Sequence, residues 1–281
     1  MIKFFTGLLL GVGIAYLAYR AHALNRSGTI AAGVLGTIVF GLGGVGWAVV
    51  LLTFFISSSG LSKLFSKMKY EVDQNYAKGS RRDAGQVAAN GAVAGLLVLA
   101  FFLFSRFAPG SSWLRLFWIG FAASLAGANA DTWGTELGVL NPGQPLLLTT
   151  FKRVPKGTSG GVSLVGSLAA FAGAGLVGGA AVLVSFLRWV PAAQNPLWIQ
   201  FAIITVAGFL GAMVDSFLGA TFQGIYFCPQ CGKETEHYPR HSCGAPTSLK
   251  RGSKWLNNDG VNFACTFTAG ILGMLLNLIL Y

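Results

Sequence analysis

Apolar runs of about 18 or more residues recur from one end of the chain to the other, separated by polar segments. About 20 apolar residues are what a helix needs to cross a hydrocarbon core about 30 Å thick. The pattern predicts an all-α fold, a polytopic transmembrane bundle of six or seven spans forming one integral membrane domain over residues 1–281. The expected spans are Phe4–Tyr19, Ile30–Ile56, Val87–Phe107, Leu114–Ala128, Val162–Leu187, Leu197–Thr221 and Val261–Leu280. Gly41, Gly43, Gly44 and Gly46 interrupt the second, which reads as one tilted helix or as two short ones. Gly166, Gly173, Gly175, Gly178 and Gly179 lie inside the fifth, where small residues let helices approach closely.

Composition agrees with a lipid environment: 53% of residues are hydrophobic and 10% charged, against about a quarter charged in soluble domains. The first apolar run follows Lys3 and resembles a signal-peptide core, but Ala21 and Ala23 make a weak cleavage site, so a retained helix is expected. The chain carries 20 Lys and Arg against 9 acids. The basic residues lie between apolar runs, as topology signals do, and not in a pattern that suits nucleic acid. With seven spans and the N-terminus inside, the inner segments hold Lys3, Lys63, Lys67, Lys69, Lys78, Arg81, Arg82, Lys152, Arg153, Lys156, Lys233, Arg240, Lys250, Arg251 and Lys254. The outer ones hold Arg20, Arg26, Arg106, Arg115 and Arg188. This orientation places the polar segments 58–86, 129–161 and 222–260 on the cytosolic face of a multi-pass cell-membrane protein.

Five of the acids, Asp83, Asp131, Glu136, Asp215 and Asp259, sit beside or within apolar runs. An ionised carboxylate near lipid is costly, so it usually faces a polar cavity, a cation or a basic partner. In the segment Ala128–Gly138 a helix would put Asp131 and Thr135 on one face, and Thr132 and Glu136 on the adjacent one. Hard oxygen ligands of this kind suit Mg²⁺, which is typically held by one or two carboxylates plus substrate phosphates.

The stretch Lys152–Ser163 is basic and glycine-rich and leads into the fifth span. Lys156, Gly157, Thr158, Ser159, Gly160, Gly161 and Ser163 there make a candidate phosphate cradle. Asp259 and Asn262, or Asn258 and Asn262, are spaced to share a helical face at the start of the last span and could hold a metal, or a ribose and phosphate. Arg82 and Asn90 flank the start of the third span. Any one of these stations could be a helix cap.

Residues 224–256 form a Cys/His-containing loop between the last two spans. Cys228, Cys231 and Cys243, with His241 or His237, are a candidate structural Zn²⁺ set, while Cys265 lies apart. Reduced free thiols, or a disulfide if the topology is inverted, are the alternatives.

Five runs occur in order: Asn90-Gly91; Asp131-Thr132-x-x-Thr135-Glu136-x-Gly138; Lys156-Gly157-Thr158-x-Gly160-Gly161-Val162-Ser163; Asp215-Ser216-x-x-Gly219-Ala220-x-x-Gln223; and Asn258-Asp259-x-Val261-Asn262. Together they resemble the DUF92/TMEM19 family of integral membrane proteins, which includes phytyl-phosphate kinases. The family pattern often has Ser at the position of Thr135 and Asp at that of Ser159. The resemblance implies phosphoryl transfer from a nucleoside triphosphate, CTP or ATP, to an isoprenoid (phytyl or polyprenyl) monophosphate in the bilayer. On this reading Asp131, Glu136, Asp215 and Asp259 hold one or two Mg²⁺ ions, Lys156 and the Gly157–Gly161 amides receive phosphates, and the tail lies at the glycine-rich fifth span. The same devices would serve a nucleotidyltransferase making a CDP-lipid, and intramembrane acids also mark ion-coupled transporters.

Overall fold

The computed structural model describes residues 2–65, 81–190 and 196–280, so Lys67, Lys69 and Lys78 lie outside the described residues. Eight α-helices occur among the described residues: α1 (Ile2–Arg20), α2 (Arg26–Ile38), α3 (Val45–Leu64), α4 (Ala84–Phe107), α5 (Trp113–Gly138), α6 (Leu164–Phe186), α7 (Leu197–Thr221) and α8 (Asn258–Ile279). Six stretches, Arg26–Gly43 and the whole of α3, α4, α6, α7 and α8, are long and apolar enough to cross a membrane. The protein is a polytopic helical bundle. The second predicted span divides: α2 passes into a π-helical turn over Val39–Gly43, and Gly44, at φ +88°, separates it from α3. Only glycine adopts that conformation without steric cost.

The centre of the bundle is α5, which is not among those six. Every residue from Leu116 to Ala130 is buried, and α3, α4, α6, α7 and α8 all pack against it. On one side Trp47 of α3 meets Phe101, Trp118 and Phe121 at ring-centroid distances of 4.8, 5.0 and 4.7 Å. On the others, neighbouring helices approach through missing side chains. A Cβ on Gly208 of α7 would fall 2.6 Å from Ala126 Cβ, and one on Gly173 of α6 would fall 2.8 Å from the Trp133 ring. The glycines of α6 at 166, 173 and 178 are thus spent on helix packing.

Backbone hydrogen bonds fix which helix ends share a face. The Asn25 N–H donates to Arg82 O and the Arg82 N–H to Ala23 O, both at 3.0 Å, so the α1–α2 turn lies beside the start of α4. At the other end of this helical pair Gly7 abuts Gly41. α1 therefore begins on the face opposite the polar segments, as does the end of α8, and the expected placing of Lys3 with those segments is corrected. The reason is the break at Gly44, which adds one crossing. Arg20 and Arg26 correspondingly move to the polar face. Among the described side chains that face carries Arg20, Arg26, Lys63, Arg81, Arg82, Lys152, Arg153, Lys156, Lys233, Arg240, Lys250, Arg251 and Lys254, against Arg106, Arg115 and Arg188 opposite. The asymmetry is steeper than the sequence reading made it.

Helices that leave the polar face start with side-chain caps. Asn25, Asp83, Ser163 and Asn257 accept from the backbone N–H groups of Gly28, Gln86, Gly166 and Gly260 at 2.9, 2.9, 3.1 and 3.0 Å. Asp83 completes a capping box with Gln86, which gives that acid a structural role. Two boundaries differ from expectation. α5 continues past Ala128 to Gly138, because protein and not lipid surrounds it, and α6 starts at Leu164 because β2 (Gly161–Val162) pairs antiparallel with β1 (Leu146–Leu147). The segment expected as a loop over 224–256 contains a three-stranded antiparallel sheet, β3 (Ile225–Cys228), β4 (Lys233–Thr235) and β5 (Ser248–Arg251), in the order β4-β3-β5.

The corrected topology is open to a vesicle test. Whichever side labels Trp255→Cys, at a 95% exposed position on the polar face, with an impermeant maleimide, protease should remove tags from both chain ends only from the other side. An N-terminal tag cleaved from the labelled side would contradict this arrangement.

Candidate functional site

The ends of α3, α5 and α7 and the starts of α4, α6 and α8 surround a polar cavity of about 280 Å³. Because α5 stays helical to Gly138, it carries Asp131, Thr132, Thr135 and Glu136 into this space. The glycine-rich segment adds Lys156, Gly157, Thr158, Ser159, Gly160, Gly161 and Ser163; α7 adds Asp215 and Ser216; α8 adds Asn258 and Asn262; and the α4 start adds Arg82, Gln86 and Asn90. Of the acids singled out as metal ligands, Asp259 alone is not a wall residue. It sits in the first turn of α8, where the helix end carries partial positive charge.

The charges in the cavity are unbalanced. Asp131 and Glu236 both lie within Coulombic range of Asp215, and Asp215 Oδ2 is buried with no hydrogen-bond partner among the described residues. Glu136 is buried, with Oε1 accepting from Ser62 Oγ at 2.9 Å. The opposing charge is Arg82, whose Nη2 donates to Ser58 Oγ at 2.9 Å and whose guanidinium stands 5.3 Å from the Phe54 ring centroid. Burial draws its pKa down to about 10 against the upward pull of Glu136 and Asp131, so it remains a cation at neutral pH. Among the described residues no three carboxylates come close enough to share one ion; Cys228, Cys231, His241 and Cys243 are the set that does. Asp131 and Glu136 belong to α5, Asp215 to α7 and Asp259 to α8, so each of the one or two expected ions would meet at most two of these acids.

The glycine loop is held from three directions. Arg251 of β5 donates from Nη1 to Gly219 O and Ala220 O, both at 2.8 Å, and from Nη2 to Ser159 O at 3.1 Å. Ser159 Oγ donates to Gln223 Oε1 at 2.7 Å, and Gln223 Nε2 donates to Glu236 Oε1 at 2.8 Å. Gly160, at φ +81°, lies so close to the end of α7 that a Cβ would fall 2.3 Å from Ala220 N. The cradle is narrower than the sequence suggests, since the Thr158 and Gly161 amides are used in turns to Pro155 O and Thr158 O. Lys156 Nζ donates to Val139 O at 3.1 Å and Asn141 O at 2.6 Å, capping the end of α5 while lining the cavity.

Sequence reasoning missed Glu236. It neighbours the Cys/His residues and no apolar run, so nothing local marked it as a cavity residue. It also missed a second, apolar groove between α1, α2, α3 and α4, lined by Ala15, Leu35, Phe40, Leu51, Phe55 and Val87 among others. Arg82, Gln86 and Asn90 line both spaces, so the polar cavity and the apolar groove adjoin at these three side chains.

In the Cys/His module, Ala245 N–H and His241 draw the Cys243 thiol down to about 6, while the neighbouring Cys243 and burial push Cys231 up to about 11. His237 stands outside the cluster, its ring centroid 5.8 Å from that of His241.

Fold and site together define a multi-spanning helical membrane protein with a charged, glycine-bordered cavity at one membrane face. The chain belongs to the integral membrane protein family DUF92, whose model matches residues 9–270. It is 35% identical over 269 residues to Protein PGR of Arabidopsis thaliana, covering 92% of this chain and 91% of that protein. An uncharacterized membrane protein of Methanocaldococcus jannaschii is 29% identical over 281 residues, covering 98% of this chain and 95% of that one. Protein VTE6, chloroplastic, of Arabidopsis thaliana is 27% identical over 253 residues, covering 90% of this chain and 65% of that protein. No solved structure matches the chain.

The loop geometry makes Gly160 the most sensitive of its glycines. Gly160→Ala should cost about 1–3 kcal/mol through left-handed strain and the clash with α7, read as a lower melting temperature in detergent. Gly179→Ala, where a Cβ would meet nothing within 4 Å, should leave melting unchanged; equal melting of the two variants would refute this packing.

Proposed function

We propose that the protein is a Mg²⁺-dependent isoprenoid-monophosphate kinase, transferring a phosphoryl group from CTP or ATP to a phytyl or polyprenyl phosphate. The observation that carries this reading is that a charged cavity and an apolar groove adjoin at Arg82, Gln86 and Asn90, which line both. That shape suits an amphiphile: a polyanionic head in the cavity and a hydrocarbon tail in the groove between α1 and α4. The tail is thereby moved from the glycine-rich α6, whose small residues serve helix packing. The family resemblance supplies the reaction class.

The reaction needs positioning and charge neutralisation more than covalent catalysis. An oxygen of the lipid phosphate attacks the γ-phosphorus, the bond to the β,γ-bridging oxygen breaks, and nucleoside diphosphate leaves as the lipid diphosphate forms. A phosphate monoester is largely dianionic above about pH 6, so no side chain has to remove a proton from it. Arg82 supplies a permanent positive charge at the junction of head and tail. Lys156 adds a second, with one ammonium hydrogen beyond the two committed to α5. Gly157, Ser159 and Gly160 line the cavity beside them, where their backbone would border the incoming phosphates.

The donor set fits Mg²⁺: the orphaned Asp215 Oδ2, Asp131 within its range, and hard oxygens throughout. When bound, the ion would screen the phosphate charges, with Asp131 and Asp215 as its protein ligands and phosphate oxygens and water completing the shell. Asn258 and Asn262 are placed for a ribose or phosphate. The positive-inside rule puts the cavity on the cytosolic side. A carrier is disfavoured because the polar residues gather at one membrane face, whereas carriers bind near the midplane.

The test is label transfer in nanodiscs with γ-labelled CTP or ATP, Mg²⁺ and a panel of isoprenyl monophosphates. Labelled lipid diphosphate should form, vanish with EDTA, and fall at least about 100-fold in Asp215→Asn. Pyrophosphate release with a CDP-lipid product would instead assign nucleotidyl transfer. No label with either donor, in folded protein, would contradict the kinase.

A further inference from the structure

We propose that Cys228, Cys231, Cys243 and His241 form a closed, tetrahedral Zn²⁺ site that fixes the small β-sheet module as one wall of the cavity. The three Sγ atoms and His241 Nδ1 all lie within 4.8 Å of one another. Cys228 Sγ is 3.6 Å from Cys243 Sγ, and His241 Nδ1 is 3.5 Å from Cys231 Sγ and 3.3 Å from Cys243 Sγ. A tetrahedron with Zn–S of about 2.3 Å and Zn–N of about 2.0 Å has edges of about 3.8 Å between sulfurs and about 3.5 Å between sulfur and nitrogen. Three of the six edges therefore already stand within about 0.2 Å of what such an ion requires, the others lie within 4.8 Å, and all three cysteines are free thiols.

The backbone shapes the same site. Each pair of ligands sits on a tight turn: the Gly232 N–H donates to Cys228 O and the Gly244 N–H to His241 O, both at 2.9 Å. Cys228 and His241 are buried. Soft thiolates and an imidazole select zinc over Mg²⁺. Four protein ligands leave no open position, which marks the site as structural.

The ion's consequence reaches the cavity through the strands it ties. β4 lies between Cys231 and Glu236, and Glu236 accepts from Gln223, which in turn accepts from Ser159 of the glycine loop. β5 carries Arg251, whose three hydrogen bonds hold the end of α7 and the same loop. Zinc thus acts as a positioning element for the glycine loop, at a distance from the reacting phosphates.

Full-length protein purified under reducing conditions without chelator should contain about one zinc per chain by elemental analysis. Cys231→Ser combined with Cys243→Ser, both at exposed positions, should lower that content at least about tenfold, while His237→Ala keeps it. Cobalt substitution should give the visible bands of a tetrahedral thiolate site. Zinc-free wild-type protein that is monodisperse and melts cooperatively, or zinc retained in the double variant, would overturn the site. Extraction of zinc should also speed hydrogen exchange at residues 157–161; unchanged exchange there would overturn the positioning role. These readouts need no substrate, so they stand or fall separately from the kinase reading.

Discussion

Enclosure of α5 is the constraint on which the rest of the structure depends. A helix that touches protein on all sides does not need an apolar surface for lipid, and it can carry polar residues that a lipid-facing helix could not. Near the end of its buried stretch stands Asn129, whose amide is fixed between Ser57 Oγ at 2.9 Å and Gly173 O at 2.8 Å. Beyond it the same helix delivers Asp131 and Glu136 to the membrane face with the register of a rigid rod. The close packing that encloses α5 requires Gly173, Gly208 and their neighbours to lack side chains, so the glycine content of the lipid-side helices and the placement of the cavity acids are one design.

The cavity is then a meeting of helix ends. Caps at Asn25, Asp83, Ser163 and Asn257 satisfy the backbone donors of the helices leaving this face. The residues next to them, Arg82, Gly161 and Asn258, are thereby set at the rim. Arg82 has a particular position: its backbone is pinned to the α1–α2 turn, its guanidinium stays cationic despite burial, and it borders both the polar cavity and the apolar groove. A lipid phosphate placed there would put its charge on Arg82 and its chain between α1 and α4. The β-sheet module lines the cavity through Glu236 and holds the glycine loop and the end of α7 through Arg251.

Much of this was legible in the sequence because its signals are local. Helix existence followed from run length, and the cavity residues followed from acids, amides and glycines that lay at run ends. The sequence reading erred where the answer depended on neighbours. It ended the fourth span at Ala128, since Asn129 and Asp131 look like an exit from lipid and nothing local says that five helices surround them. It placed the N-terminus on the wrong face because one glycine, Gly44, decides whether 30–56 crosses once or twice. It grouped Asp259 with the cavity acids on spacing, although that side chain sits outside the wall. Glu236 and the apolar groove have no sequence signature, since each arises from segments far apart in the chain.

The central claim is that the polar cavity and the groove between α1 and α4 form one site for an amphiphilic phosphate. The most direct measurement is photo-crosslinking in nanodiscs with an isoprenyl monophosphate bearing a diazirine in its tail, followed by peptide mapping. The account predicts labelling of α1–α4 residues around Leu35, Phe55 and Val87, with competition by unlabelled lipid phosphate and not by the corresponding alcohol. Labelling confined to α6, or spread evenly over lipid-facing residues and insensitive to competition, would contradict it.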